Sequence, residues 1–322
     1  MNTNKVVVDG YCRQVLMDFV KRDYVLRSKP IASRPSSNLQ IEGERFCIPS
    51  IISNAIVDID KHSENINAID SIFSKLQLLL CRHIVVRIIY PPTLKDIQRI
   101  FEASVSYNIH EMLLITNFAP QLYSNSLARI VLDSNRLKAM VVFNSPFNKN
   151  LDNIIHFYKR KMPRTNFKKD RDEFICNHWL YNESIRHNTY FHKKLYIDAE
   201  GQIKNAPECS NIFGQIAQLS PSELLELVRS EEFAEFWHIT KDMCCICSDC
   251  EYKHMCVDNR VPYSNGHGMF RHRVACTYNP YIARWQGQPG YVPVEQCGVF
   301  TPEGFVPDAE RIEQVLRGTA GE

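Results

Sequence analysis

The chain has no apolar run approaching the roughly 18 residues needed to cross a bilayer. Its best candidates, Leu78–Leu80 and Ile84–Ile89, are separated by Cys81, Arg82 and His83, and Arg87 interrupts the second. It also lacks a charge bias, since 38 basic and 36 acidic residues leave a formal net charge of +2. Proteins that coat nucleic acid or an anionic membrane carry one sign in excess, so neither partner is expected. Met1–Tyr11 holds one lysine and no apolar core followed by small residues, so no secretory signal is read and a cytoplasmic location is expected. Repeats and low-complexity tracts are absent, as are a Gly-x-Ser-x-Gly elbow and a His-Glu-x2-His pair. Gly266-His267-Gly268 follows no expected strand and has no Lys-Ser/Thr, which argues against a phosphate cradle. Hydrophobic residues at 44% and charged residues at 23% are ordinary globular usage.

Cysteine is abundant. Of 12 in the chain, Cys12, Cys47, Cys81 and Cys176 are scattered, and the other eight lie between Cys209 and Cys297. Without export, thiols stay reduced, and a cluster of them points to metal ligation or reactivity rather than disulfides. Isolated cysteines are read as small buried hydrophobes.

A length of 322 residues has room for about two domains. Residues 1–45 read as an arm or small appended motif, with an apolar and basic stretch at Val15–Arg27 and a Ser- and Pro-rich loop at Ser28–Asn38. Residues 46–192 alternate strands with helices. Strand starts are expected at 55, 83, 111 and 138, and helices over Asn65–Leu80, from Thr93 as N-cap, and over Leu122–Leu132. Even βα spacing predicts an α/β fold with a parallel sheet or partial (β/α) barrel. Asn148–Arg171 is basic and reads as a solvated helix face and linker, or as a docking strip for an acidic partner. Residues 193–322 open with an expected hairpin at Lys193–Asn205 and an amphipathic helix over Pro221–Trp237, then turn cysteine-rich.

Cys247-x2-Cys250-x5-Cys256 is followed by Cys276, with nineteen residues between Cys256 and Cys276. A tight turn lets two thiolates separated by two residues face one metal, and two more complete a tetrahedral set. Such a set suits structural Zn(II) or one [4Fe–4S] cluster, and both accept four cysteines. Cys244 offers an alternative pairing with Cys247, while Cys209, Cys245 and Cys297 are buried thiols or members of a second site. His238, His254, His267 and His272 are read as surface or supporting groups. Trp237, Trp285, Tyr278, Tyr281 and Tyr291 are read either as core or as a peptide-binding surface.

At these residues a resemblance is specific. Residues 193–300 resemble a SPASM domain, the auxiliary-cluster extension of radical S-adenosylmethionine enzymes that modify peptides. The matching segments are LYIDAEGQIKNAPEC (Leu195–Cys209), Asn211–Ile216, and the Cys247, Cys250, Cys256 run with Cys276. CSDCEYKHMCVDNR, YNPYIARWQGQPGYVPVEQCG and PSIISNAIVDID are similar to the SPASM peptide maturases of grasp-with-spasm systems. The resemblance covers about residues 45–310. It implies a degenerate radical-SAM-like partial barrel followed by a SPASM domain holding one [4Fe–4S] cluster through Cys247, Cys250, Cys256 and Cys276, with structural Zn as the alternative. The ligand that a full SPASM domain carries four positions after Cys256 is here Arg260, so the first auxiliary cluster is not expected. The Cys-x3-Cys-x2-Cys of the radical core is also missing: the loop after the first strand, Lys61–Asn67, has no cysteine, and Cys47 and Cys81 are 34 residues apart. The function implied is accessory: maturation of a ribosomally made peptide by binding the precursor, a partner ATP-grasp ligase, or both, without radical chemistry and with no catalytic residues. The alternative is an iron–sulfur enzyme that uses its remaining cluster for electron transfer.

Overall fold

β-branched runs bounded by turn residues form four strands: β1 (Asn54–Ile59), β2 (His83–Ile88), β3 (Glu111–Asn117) and β4 (Leu137–Phe143), each starting within a residue of its expected position. The computed structural model describes residues 48–318 except 63, 133, 135, 164–173, 175 and 176. The readings on residues 1–45, on Cys12, Cys47 and Cys176, and on most of the basic stretch after Arg160 lie outside these residues. The described residues fall within one unit that begins at Gly43.

Helices α1 (Ile69–Leu78), α2 (Leu94–Ser106) and α3 (Asn125–Leu132) return the chain between these strands. Parallel neighbours require such crossovers. At α2, Thr93 Oγ1 accepts from the Asp96 amide at 3.2 Å while the Asp96 carboxylate accepts from the Thr93 amide at 2.8 Å. This reciprocal cap satisfies two donors that a helix start leaves open. The first and third helices begin later than expected, because single 3-10 turns at Glu64–Ile66 and Pro120–Leu122 precede them.

Two elements differ more. The basic stretch opens not as a helix but as a hairpin, β5 (Lys149–Leu151) antiparallel to β6 (Ile155–Phe157). Asp152 and Asn153 take φ of +51° and +56°, the conformation a tight hairpin turn demands at both central residues. The helix expected to reach Trp237 stops as α5 (Pro221–Arg229). Ser230 is extended there, and its hydroxyl accepts from the Phe233 amide at 3.2 Å. Phe233 and Trp237 are therefore buried by turns rather than by helical periodicity.

The chain then adds β7 (Lys194–Ile197), β8 (Gln202–Lys204) and β9 (Gly214–Gln215), giving a nine-stranded sheet in the order β5-β6-β4-β3-β2-β1-β7-β8-β9. The hairpin read at Lys193–Asn205 is present as β7 and β8, with Gly201 at φ +78° in its turn. β7 lies past the 192/193 boundary yet pairs in parallel with β1. The architecture is mixed α/β on a mostly parallel sheet, and no described helix is long and apolar enough to cross a membrane.

Alternation assigns the two faces. Ala55, Val57, Ile59, Ile84, Val86, Ile88, Leu195 and Ile197 are at most 1% exposed and pack with Phe73, Leu76, Ile97, Ile100, Leu224 and Val228 of the helices. The opposite face carries Asp58, whose carboxylate accepts from Arg87 Nε at 2.6 Å, Arg87 Nη2 at 2.7 Å and the Tyr196 hydroxyl at 2.7 Å. After α5 the regular structure thins to two-stranded ribbons: β10 (Pro262–Ser264) with β11 (Phe270–His272), β12 (Tyr278–Asn279) with β13 (Arg284–Trp285), and β14 (Gly298–Thr301) with β15 (Gly304–Pro307). α4 (His178–Ser184) precedes β7, and α6 (Ala309–Gly318) ends the described chain.

Candidate metal centre

Cys247 opens a single 3-10 turn, Cys247–Asp249, entered through Ile246 at φ +69°. The Cys250 amide donates to the Cys247 carbonyl at 3.1 Å, the tight turn that a Cys-x2-Cys pair needs. A second turn at Tyr252–Met255 delivers Cys256, whose carbonyl accepts from Thr189 Oγ1 at 2.7 Å. Cys276 follows β11. All four are partly exposed, whereas Cys81, Cys209, Cys244, Cys245 and Cys297 are buried.

The charges of neighbouring thiols bear on two of the four. Burial raises the Cys250 thiol, and the charges of Cys247 and Cys256 raise it further. Burial likewise raises Cys247, with Cys276 adding and Lys241 and Arg260 opposing. Cys209 and Cys244 are likewise pushed up, to about 12, chiefly by burial. Cys297 accepts from Asn279 Nδ2 at 3.3 Å.

Cys247, Asp258 and His272 bring one donor atom each within 4.8 Å of one another, and of the four-cysteine set Cys247 alone belongs to this group. Asp258 is fully buried and already engaged: Lys241 Nζ lies 2.6 Å from Oδ2, and Arg260 donates Nη2 to Oδ2 at 2.7 Å and Nε to Oδ1 at 2.9 Å. Burial alone would raise this carboxyl, but Lys241 and Arg260 hold it well below its ordinary value. Asp258 is thus the counter-ion of two buried cations before it is a ligand. Burial, aided by the same two cations, lowers His272 to about 3 and leaves its imidazole neutral.

Two cations against one carboxylate leave one uncompensated positive charge beside the thiols. Arg260 Nη2 lies 3.8 Å from Cys247 Sγ, and Nη1 donates to the Val274 carbonyl at 3.0 Å. Positive charge and an N–H donor beside sulfur favour the thiolate. The twelve cysteines and the Cys247–Asp258–His272 group are consistent with a metal. Asp258 and Lys241 escape a reading of the sequence that follows sulfur alone. The signal for Asp258 was the alternation of opposite charges soon after Cys256, at Asp258 and Arg260; Lys241 had none.

Tyr278, Trp285 and Trp237 are buried, so core packing rather than a peptide surface is their role. Tyr278 and Trp285 pack at 4.7 Å between ring centroids, with Tyr252 at 5.0 Å from Tyr278. Tyr281 donates to Asp249 at 2.8 Å. Among the histidines, His254 meets Ser184 at 2.9 Å and His267 is exposed. His238 lies 5.2 Å from the ring of His187.

The segment after β1 is anchored by an amide. Asn65 is buried, and its Nδ2 donates to the carbonyls of Asp58 and Asp198, each at 2.8 Å. This tie joins the end of β1 to the β7–β8 turn. No family model, curated protein or solved structure matches the chain.

Proposed function

We propose that the chain is an accessory maturation protein for a ribosomally synthesised peptide, and that it binds the precursor, a partner ATP-grasp ligase, or both. The reading is carried by one contrast. Cys247, Cys250, Cys256 and Cys276 fall in the loop-rich part of the chain, while the Lys61–Asn67 loop at the end of β1 has no thiol and its Asn65 is engaged by the Asp58 and Asp198 carbonyls. On this reading β1–β4 with α1–α3 are what remains of a (β/α) barrel of the radical S-adenosylmethionine kind. Without thiolates at its mouth, such a barrel has no ligands for the cluster that would cleave the cofactor.

The four cysteines hold one [4Fe–4S] cluster, with structural Zn as the alternative. Either group supplies cross-linking of the ribbons, because metal binding is folding free energy. Lys241 and Arg260 offset the negative charge of the thiolates, and Asp258 fixes both cations in place. A precursor that is disordered when free loses entropy when it is bound. Holding it beside the ligase raises its effective concentration there.

Co-purification of the tagged chain with an ATP-grasp ligase and a precursor from the same source tests the reading, with recovery of at least one as the expected result. Recovery of neither, or formation of deoxyadenosine from S-adenosylmethionine by the purified chain, overturns it.

A further inference from the structure

Two cavities of about 350 Å³ each share Arg260, Tyr263, Arg273 and Val274 in their walls. One is also lined by Cys247 and Cys276 and belongs to the metal centre. The other touches none of the four cysteines of that centre and is completed by Glu208, Cys209, Ser210, Asn211, Phe236 and Val261.

The second cavity carries charge of both signs: the Glu208 carboxylate, whose partners Tyr190 and Asn259 are neutral, supplies the negative group, and Arg260 and Arg273 supply the positive groups. Its one carboxylate, Glu208, is already engaged: Oε2 accepts from the Tyr190 hydroxyl at 2.8 Å and Oε1 from Asn259 Nδ2 at 2.8 Å. Cys209 stays a neutral thiol. Of the two guanidiniums, Arg260 is committed to Asp258 and forms a fixed wall. Arg273 is different. It is exposed, lies 6.0 Å above the Tyr263 ring, and forms no ion pair with any described carboxylate. The mouth is apolar as well, with Tyr263 at 40% and Val274 at 44% exposure. A guanidinium fork beside apolar surface matches a carboxylate carried on a short side chain, because the fork accepts two oxygens at once. The volume suits a side chain or two at the small end of ligand pockets.

We propose that this cavity reads an acidic side chain of the bound peptide, with Arg273 making the ion pair, Ser210 and Asn211 offering hydrogen bonds, and Phe236, Val261 and Tyr263 packing the neighbouring apolar residue. The occupant rests on the reading that the chain holds a precursor peptide; the carboxylate preference rests on the cavity alone.

The test is calorimetric titration of the full chain with an acetylated, amidated Gly-Glu-Phe-Glu-Gly peptide and its twin with glutamine for glutamate. The glutamyl peptide is expected to bind at least about tenfold more tightly, the scale of one charge-assisted hydrogen bond. Arg273→Gln should abolish the difference, and Arg273→Lys should restore only part of it. Because the Arg273 side chain is exposed, retained circular dichroism and metal content confirm that the variants fold. Equal binding of the twins, or undiminished discrimination by Arg273→Gln, overturns the proposal. If the natural precursor binds wild type and Arg273→Gln equally, the pocket assignment fails while the accessory function stands. If the glutamyl peptide binds in an Arg273-dependent way and neither the natural precursor nor the ligase binds, the pocket stands and the accessory function fails.

Discussion

The sheet and the ribbons are built on different principles within one chain. Around β1–β4 and β7 the interior is hydrocarbon, with Phe73, Ile59, Ile69 and Leu76 fully buried and the sheet running nine strands wide. Between Thr240 and Pro307 no sheet exceeds two strands, and the buried set mixes Tyr278, Trp285 and Phe305 with Lys241, Asp258, Arg260 and thiols. An isolated two-stranded ribbon is marginal in water. The first region is held by apolar area, and the second by paired ions and, on the reading proposed above, by a metal cross-link. Hydrophobic burial tolerates imprecise geometry, whereas an ion trio or a thiolate set fails when one member leaves.

The sharpest way to break this comparison is to remove the metal proposed above or one of its proposed ligands. Cys250→Ser, or chelation, should abolish the metal and the hydrogen-exchange protection of residues 240–307 while β1–β4 stay protected; Cys81→Ser should retain full metal. Simultaneous loss of protection in both regions would show that they are not energetically distinct.

Asp258→Asn should cost about 3–5 kcal/mol, because it leaves Lys241 and Arg260 buried without their counter-ion. Phe73→Ala should cost a similar ~3–5 kcal/mol through its cavity. Denaturant unfolding measures both, but only Asp258→Asn should lower metal retention. Equal metal content in the two variants would dissolve the contrast.

Acid sharpens it at the seam between α4 and β7. His187 and His192 stack with ring centroids 3.9 Å apart, and His192 Nδ1 lies 2.7 Å from Glu183 Oε1. Burial, with neighbouring imidazoles and cations adding, lowers His187 to about 4 and His192 to about 3. Burial raises Glu183 to about 7 against the pull of Lys193 and Lys194, so the contact joins neutral groups. Below pH 6.5 the unfolded chain gains two histidine protons that the fold refuses, while down to pH 4.5 the fold keeps one Glu183 proton that the unfolded chain lacks. Two minus one leaves one proton, so this trio lowers stability by about 1.4 kcal/mol per pH unit as pH falls through that window. Glu183→Gln removes the opposing proton and should roughly double the slope in unfolding measured from pH 6.5 to 4.5. An unchanged slope would mean that the pair is charged.

The smallest effect belongs to the helical side. Thr93→Ala should cost about 1 kcal/mol through the lost cap of α2, with metal content unchanged.

The two regions were also unequally legible. Ala55–Ile59 and His83–Tyr90 announced their strands because a buried parallel strand needs a continuous β-branched run, and Thr93 announced a helix by its own chemistry. The Asp152-Asn153 turn hid inside a run of lysines and arginines that looked like a solvated face. Ser230 ended α5 although Phe233 and Trp237 continued its apolar spacing, since periodicity records burial and not the backbone that achieves it. At the candidate centre, the spacing of Cys247, Cys250 and Cys256 was readable from local turn geometry. The Lys241–Asp258–Arg260 trio was not, because Lys241 reaches its partner across 17 residues and no local pattern encodes that pairing.

The position of β7 bears on how the protein is made. Ser53, just before β1, donates its hydroxyl to the carbonyl of Lys193, 140 residues later. While synthesis has reached only β4, β1 is therefore a bare edge with unpaired amides and carbonyls, the kind of template that recruits other chains. Its natural neighbour arrives only when more than half of the polypeptide has left the ribosome. A fragment ending before Lys193 should consequently be prone to aggregation, and co-translational folding of this protein should complete late.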